Sequence, residues 1–299
     1  GYAVYFGLKV DSFYPQDGYY VNYFENTRSL LPVEEFLEGR PWEGSVKHKE
    51  YSKILGGTDQ LPKAFFDSLI EDVHFSNDVL FIDQTQDDIV VKVSDGTEYT
   101  CDYIICTVPL PVLNMIEFSP PLSNEKMDAS NGDYYYAPST RVFIQFKNRF
   151  WENDGLNGWG YTDWPEEIWQ PSWNRDGTKG ILLSYLRYEQ ATDIDLLPEN
   201  DRIENVINRW ENVFPGAQSN IDTGLSLSWM EENWSRGAWA SPSEEQNELY
   251  SSHIGKTEGR VYFAGEHTTE YHGWMQGALQ SGIRAAEGIH YGDNFGQLV

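Results

Sequence analysis

Hydrophobic positions along this chain follow two periods, and the switches between them predict its elements. Residues 1–50 carry the aromatic pairs Tyr19-Tyr20 and Tyr23-Phe24 without a sustained period, which predicts helices and loops and no long strand. Gly56-Gly57-Thr58-Asp59-Gln60-Leu61-Pro62 reads as a turn into a helix, with Leu61, Phe65, Phe66 and Leu69 at helical spacing. Short β-type runs follow at 79–82, 89–93 and 103–106, and Asp95-Gly96 before Thr97-Glu98-Tyr99 is a hairpin signal. The apolar run 102–108 stops at Pro109 and Pro111, as a buried strand does when its C-terminal end opens onto a crevice.

Beyond residue 134 the pattern changes. Runs 141–146, 180–185 and 225–229 read as strands, and 199–213 as an amphipathic helix through Ile203, Val206, Ile207 and Trp210. Residues 259–264 read as a further strand with the exit loop Gly265-Glu266-His267-Thr268. A helix over 273–289 follows, with Met275, Ala278, Leu279, Ile283, Ala286 and Ile289 on one stripe. The first turn of that helix carries no acidic residue, so its N-terminal dipole is free for a ligand.

Composition narrows the function. The 299 residues carry 47 Asp plus Glu against 21 Lys plus Arg, a formal charge of -26, which disfavours nucleic acid and anionic membranes as partners. Aromatics reach 15%, with 11 Trp, enough to line a flat ligand site. No apolar run approaches a membrane span. Cys101 and Cys106 are read on one strand, facing opposite ways and unbridged. The six histidines show no metal spacing, and no metal site is expected. The chain opens Gly1-Tyr2-Ala3 rather than with Met, which reads as a processed product; a strongly acidic, processed chain suits an extracellular setting.

Three ordered blocks resemble one family. Val261-Tyr262-Phe263-Ala264-Gly265-Glu266-His267-Thr268 with Gly273-Trp274-Met275-Gln276-Gly277-Ala278 is similar to the C-terminal signature of FAD-dependent amine oxidases, a family of monoamine, polyamine and L-amino acid oxidases. Gly56 to Pro62 resembles its second fingerprint, and 102–109 with Phe118-Ser119-Pro120-Pro121-Leu122 a third. Gly18-Tyr19-Tyr20-Val21 and Phe150-Trp151-Glu152-Asn153 look most like the L-amino acid oxidase branch. The GxGxxG turn with which the family opens is absent, so an upstream polypeptide is expected to supply it.

The resemblance implies an α/β plus α+β fold, discontinuous in sequence: a Rossmann-like, glutathione-reductase-type FAD domain with a mixed-sheet substrate domain. It divides the chain into a substrate-side segment 1–50, FAD-domain part 51–133, substrate domain 134–253 and FAD-domain C-terminal part 254–299. It implies FAD as cofactor, an amino acid or amine and oxygen as small-molecule partners, and a homo-oligomer of processed chains. Its cofactor contacts fall on Gly57, Val79, Trp229, Gly265, Glu266, Gly273, Trp274 and Met275. Trp239 and Trp274 match its aromatic cage, and Tyr185 a tyrosine that binds the substrate carboxylate. Arg141 departs from the pattern, standing where relatives carry a Lys that holds a water to the flavin. It keeps the charge but is planar and not deprotonated, and its role is open between that water, a substrate anion and a slipped alignment. The implied reaction is oxidative deamination of an L-amino acid to a 2-oxo acid with ammonia and hydrogen peroxide, by hydride transfer to flavin N5. An amine or polyamine oxidase, and a non-catalytic module on a decayed oxidase fold, are the alternatives.

Overall fold

The computed structural model describes residues 1–38 and 51–292. The chain forms two compact units, each drawn from two stretches: 1–74 with Thr140–Leu227, and Phe75–Ser139 with the residues from 228 onward.

The first unit is built on a seven-stranded mixed sheet. In spatial order its strands are Ile221–Ser228, Ser139–Phe146, Gly180–Arg187, Glu167–Trp169, Leu156–Thr162, Tyr19–Phe24 and Thr27–Pro32. Alternation along Ser139–Phe146 sends Val142, Ile144 and Phe146 into the core, together with Leu182, Leu186 and Trp151. The helix Glu199–Val213 closes this core with Val206, Ile207 and Trp210. Arg141 and Phe143, the intervening residues, belong to the other face of the sheet.

The second unit holds a four-stranded sheet, ordered Glu98–Cys101, Ile89–Val93, Val79–Asp83 and Glu117–Ser119, and a parallel pair, Val261–Phe263 with Ile104–Cys106. The hairpin expected at Asp95-Gly96 is present: Gly96 has φ +87° and the Asp95 carboxylate accepts from Thr97 N–H at 2.8 Å. Among the described residues no helix is long and apolar enough to cross a membrane.

Three expectations change. Residues 1–50 were expected to hold helices and loops, yet they contribute the strands Tyr19–Phe24 and Thr27–Pro32. The hairpin between them turns on Glu25 and Asn26, both at positive φ, a two-residue turn that lacks the usual Asn-Gly signal. Residues 39–50 lie outside the described part. Cys101 and Cys106 end two different strands in two different sheets, because Asp102-Tyr103 interrupts the run; both are free thiols. The last helix spans Met275–Tyr291 and buries Gly277, Ser281 and Ala285 rather than its apolar stripe. Added to Gly277, a Cβ would stand 2.5 Å from the Tyr271 carbonyl oxygen, so close backbone approach selects the small face. Met275 and Ile283 are left 61% and 45% exposed.

Candidate functional site

In the first unit, Arg141 and Phe143 line an open cavity of about 700 Å³ with Gly56, Gly57, Trp169 and Leu183. The β-sheet register explains the grouping: Trp169 pairs with Leu183 and Glu167 with Tyr185, so one sheet face carries them all. The Arg141 guanidinium lies 4.7 Å from the Tyr185 ring centre and 5.6 Å from that of Trp169, in cation–π range. Tyr185 backs Arg141 and is not itself among the residues lining the cavity. Gly57 has φ +132°, and a Cβ there would strike the Asp59 carboxylate, so the turn beside the cavity requires glycine. Lys53 and Arg175 add positive charge to the rim. Burial, only partly offset by Asp11, lowers the Lys53 pKa to about 8, and the Arg175 charge pushes the same way.

In the second unit, the loop after Val261–Phe263 is organised by Glu266. Its Oε1 accepts from the Tyr136 hydroxyl at 2.7 Å and from Ala240 N–H at 3.1 Å, and its Oε2 from Gly273 N–H at 2.6 Å. Desolvation of Tyr136, reinforced by the Glu266 charge and hydrogen bond, raises the phenol pKa far above the ordinary value, so it stays a donor. Gly265 has φ +148°, and a Cβ on it would collide with the His267 ring. Its N–H donates to Ser281 Oγ at 2.8 Å, and Arg284 donates to Thr268 O and Phe263 O at 3.0 and 2.9 Å, so the last helix holds the loop. Gly273 turns at φ +74° against the Trp239 ring, where a Cβ would be 3.2 Å from Cδ1. Trp274 caps the helix Met275–Tyr291 with no side-chain hydrogen bond and no acid in the first turn; Gly277 and Ala278 donate to Trp274 O, and the N–H groups of Met275 and Gln276 have no acceptor within the helix. Trp274 itself is 58% exposed.

Of the residues expected at a site, Gly57, Arg141 and Tyr185 belong to the first unit, where Gly57 and Arg141 share the cavity. Glu266, Gly273 and Trp239 meet in the second, with Gly265 before them and Trp274 and Met275 after. Trp229 follows the strand Ile221–Ser228, its N–H donating to Ser139 O at 3.0 Å. Val79 begins a strand of the four-stranded sheet and pairs with Val93, half-buried. Tyr136, Trp169, Lys53 and Arg175 were not singled out from the sequence. Trp169 was within reach, as a large aromatic two residues from Glu167 in a strand-like run; Tyr136 carries no local signal for its long-range bond to Glu266.

His267 beside Glu266 is buried, and desolvation, with the positive charges of His272, Arg284 and Lys126, lowers its pKa to about 4. The folded state therefore holds this proton more weakly than the unfolded one. The stability conferred by neutral His267 is present above about pH 6.5 and is lost as pH falls towards 4, by up to about 3 kcal/mol. Urea midpoints measured across this window should fall less steeply in His267→Gln than in the wild type; equal slopes would contradict the assignment.

Residues 19–290 match the family described as flavin containing amine oxidoreductase. The chain is 28% identical over 283 residues to an L-amino-acid oxidase of Vipera ammodytes ammodytes, a match covering 91% of this chain and 56% of that protein. It is 33% identical over 250 residues to a Bacillus subtilis (strain 168) protein provisionally named an L-amino-acid oxidase, covering 79% of this chain and 52% of that one. The chain thus spans about half the length of these relatives. Among solved structures, a triple mutant of putrescine oxidase is similar with a TM-score of 0.82 at 15% identity, covering 97% of this chain and 84% of that one. Cyclohexylamine oxidase from Brevibacterium oxydans IH-35A has a TM-score of 0.72 at 15% identity, covering 86% and 58%. At that identity the two likenesses establish the fold.

Proposed function

We propose that this chain, which belongs to the flavin-containing amine oxidoreductase family, forms the greater part of the flavin and substrate sites of an L-amino acid oxidase. FAD is its cofactor. The reaction is oxidative deamination of an L-amino acid to a 2-oxo acid, with release of ammonia and formation of hydrogen peroxide from oxygen. The observation that carries this reading is the uncapped, acid-free N-terminus of the helix Met275–Tyr291, held in place by Glu266 through Gly273.

The residues present fit FAD. A ring edge that gains electron density would be met by the N–H groups of Met275 and Gln276 and a positive helix end, with no carboxylate in the first turn to oppose it. Glu266 spends its oxygens on Tyr136, Ala240 and Gly273, so its part is to fix the loop around the cofactor. When bound, FAD accepts the hydride from the substrate α-carbon. Trp239 and Trp274 supply aromatic surface to orient the amine, and a substrate that sheds its ammonium proton between apolar rings needs no protein base. Gly57 gives close backbone approach beside Arg141.

We also propose that a further polypeptide segment with a glycine-rich dinucleotide turn completes a Rossmann-like sheet in the second unit. Among the described residues its parallel pair has two strands, leaving Tyr103 and Ile105 exposed, and parallel sheets are ordinarily larger and covered on both faces. The exposed Met275 and Ile283 on the neighbouring helix give the added segment an apolar surface to cover.

An amine or polyamine oxidase is favoured by one observation, the formal charge of -26, which attracts polycations. The absorbance spectrum of the purified protein, with any polypeptide that co-purifies, tests the cofactor assignment. Flavin bands are expected; a colourless preparation containing the upstream segment would instead support a non-catalytic module.

A further inference from the structure

We propose that the cavity beside Arg141 is a carboxylate subsite, in which the Arg141 guanidinium receives the carboxylate of an amino acid bearing an apolar or aromatic side chain. The inference rests on the L-amino acid oxidase reading and adds the residue that selects an acid over a plain amine.

Two guanidinium groups pack on Tyr185, and they are treated differently. Arg187 lies 5.1 Å from the ring centre and is neutralised by Glu166 and Glu167 at 2.6 and 3.0 Å. Arg141 lies 4.7 Å away, and among the described residues no carboxylate or carbonyl accepts from it; its Nε is buried without a partner. A half-buried cation without a counter-charge is costly, and the structure keeps it in place by stacking it on Tyr185 and Trp169. Its planar fork, opening on the cavity, matches the two oxygens of a carboxylate.

The rest of the cavity agrees. Lys53 and Arg175 line it against a single acid, Asp176, so the local charge is positive in a chain that is acidic throughout. Lys53 Nζ is already committed, donating to Asn174 Oδ1 at 2.8 Å and Pro171 O at 3.2 Å, and Asn174 in turn donates to Asp11. Arg175 is exposed, so Arg141 is the half-buried cation left to bind, held by its ring contacts. Phe13, Phe143 and Leu183 form an apolar wall beside it, in a volume of about 700 Å³ that accommodates an aromatic side chain.

The test is calorimetric titration of the full chain, with any polypeptide that co-purifies, using hydrocinnamate, phenethylamine and inorganic phosphate as probes. Hydrocinnamate should bind. Arg141→Met should weaken it about tenfold to a hundredfold, the share of a charge-assisted bidentate pair, and leave phenethylamine within about twofold. Arg141→Lys should fall between, keeping the charge and losing the fork. Near-UV circular dichroism checks the fold; if Arg141→Met does not fold, Arg141→Lys decides, by a loss of at least about threefold. Unchanged hydrocinnamate affinity in the variant that folds, or no binding to the wild type, overturns the proposal. So does phosphate binding as tightly as hydrocinnamate, which marks a general anion site. These readouts need no flavin: a colourless protein that binds hydrocinnamate through Arg141 keeps the subsite and loses the oxidase.

Discussion

Replacing Glu266 with alanine is expected to destabilise the second unit by about 3 kcal/mol and to weaken FAD retention at least tenfold, since hydrogen bonds to a charged group contribute about 1.5–3 kcal/mol each. Three donors lose their acceptor together: the buried Tyr136 hydroxyl and the N–H groups of Ala240 and Gly273. The first is the severe loss, because Tyr136 is pressed into a desolvated site where the Glu266 carboxylate is its acceptor. The third carries the functional consequence. Gly273 sits against Trp239 and leads into the helix whose N-terminus faces the proposed cofactor, so a loosened Gly273 unsettles both. Glu266→Gln keeps Oε1 as an acceptor and should recover most of the stability. Denaturant midpoints and flavin-to-protein absorbance ratios after gel filtration check both outcomes. A Glu266→Ala protein as stable and as yellow as the wild type would contradict them.

Glu258→Gln should cost more, about 3–5 kcal/mol, because it strands a buried cation. Lys126 is fully buried; its Nζ lies 3.2 Å from Glu258 Oε1, donates to Lys256 O at 2.6 Å and sits 3.2 Å from the centre of the Phe263 ring. Burial lowers its pKa to about 8, and Glu258 is the charge that opposes this. For Glu258, burial acts upward, but the Ser123 hydroxyl and N–H, at 2.7 and 2.9 Å, and the Lys126 charge together hold its carboxyl below the ordinary value. Breaking one side of such a pair is costly, whereas replacing both sides can be neutral. The double variant Lys126→Met with Glu258→Gln should therefore be more stable than Glu258→Gln alone, by about 2 kcal/mol or more. Urea unfolding of the three proteins measures the coupling; additive effects would mean the pair is not one unit. The Lys126–Phe263 contact bears on the site, since Phe263 ends the strand that delivers Gly265 and Glu266.

The elements that a reader can find in this sequence are those whose signal is local. The helix Glu199–Val213 shows its period in Val206, Ile207 and Trp210, and the hairpin at Gly96 shows its turn residues. What stays hidden depends on contacts far along the chain. Tyr19–Phe24 is a strand because its partner on one side, Leu156–Thr162, is more than 130 residues away and runs parallel to it. The last helix buries Gly277, Ser281 and Ala285 because of a carbonyl at Tyr271, which no apolar moment reports. The site divides the same way. Gly265, Glu266 and Gly273 stand in one contiguous motif, so their resemblance to a family could be read directly. The setting of Arg141 could not, since its lack of an anionic partner among the described residues is a property of the sheet face and not of its neighbours in sequence.

Oxidation of an L-amino acid by a bound flavin leaves a spectroscopic mark. Its most direct test is the absorbance spectrum of the flavin-loaded protein, under anaerobic conditions, before and after addition of a mixture of L-amino acids and, separately, of amines and polyamines. The flavin bands should bleach with L-amino acids and stay with the amines. Bleaching by the amines, with none from the amino acids, would contradict it and assign the chain to the amine oxidases.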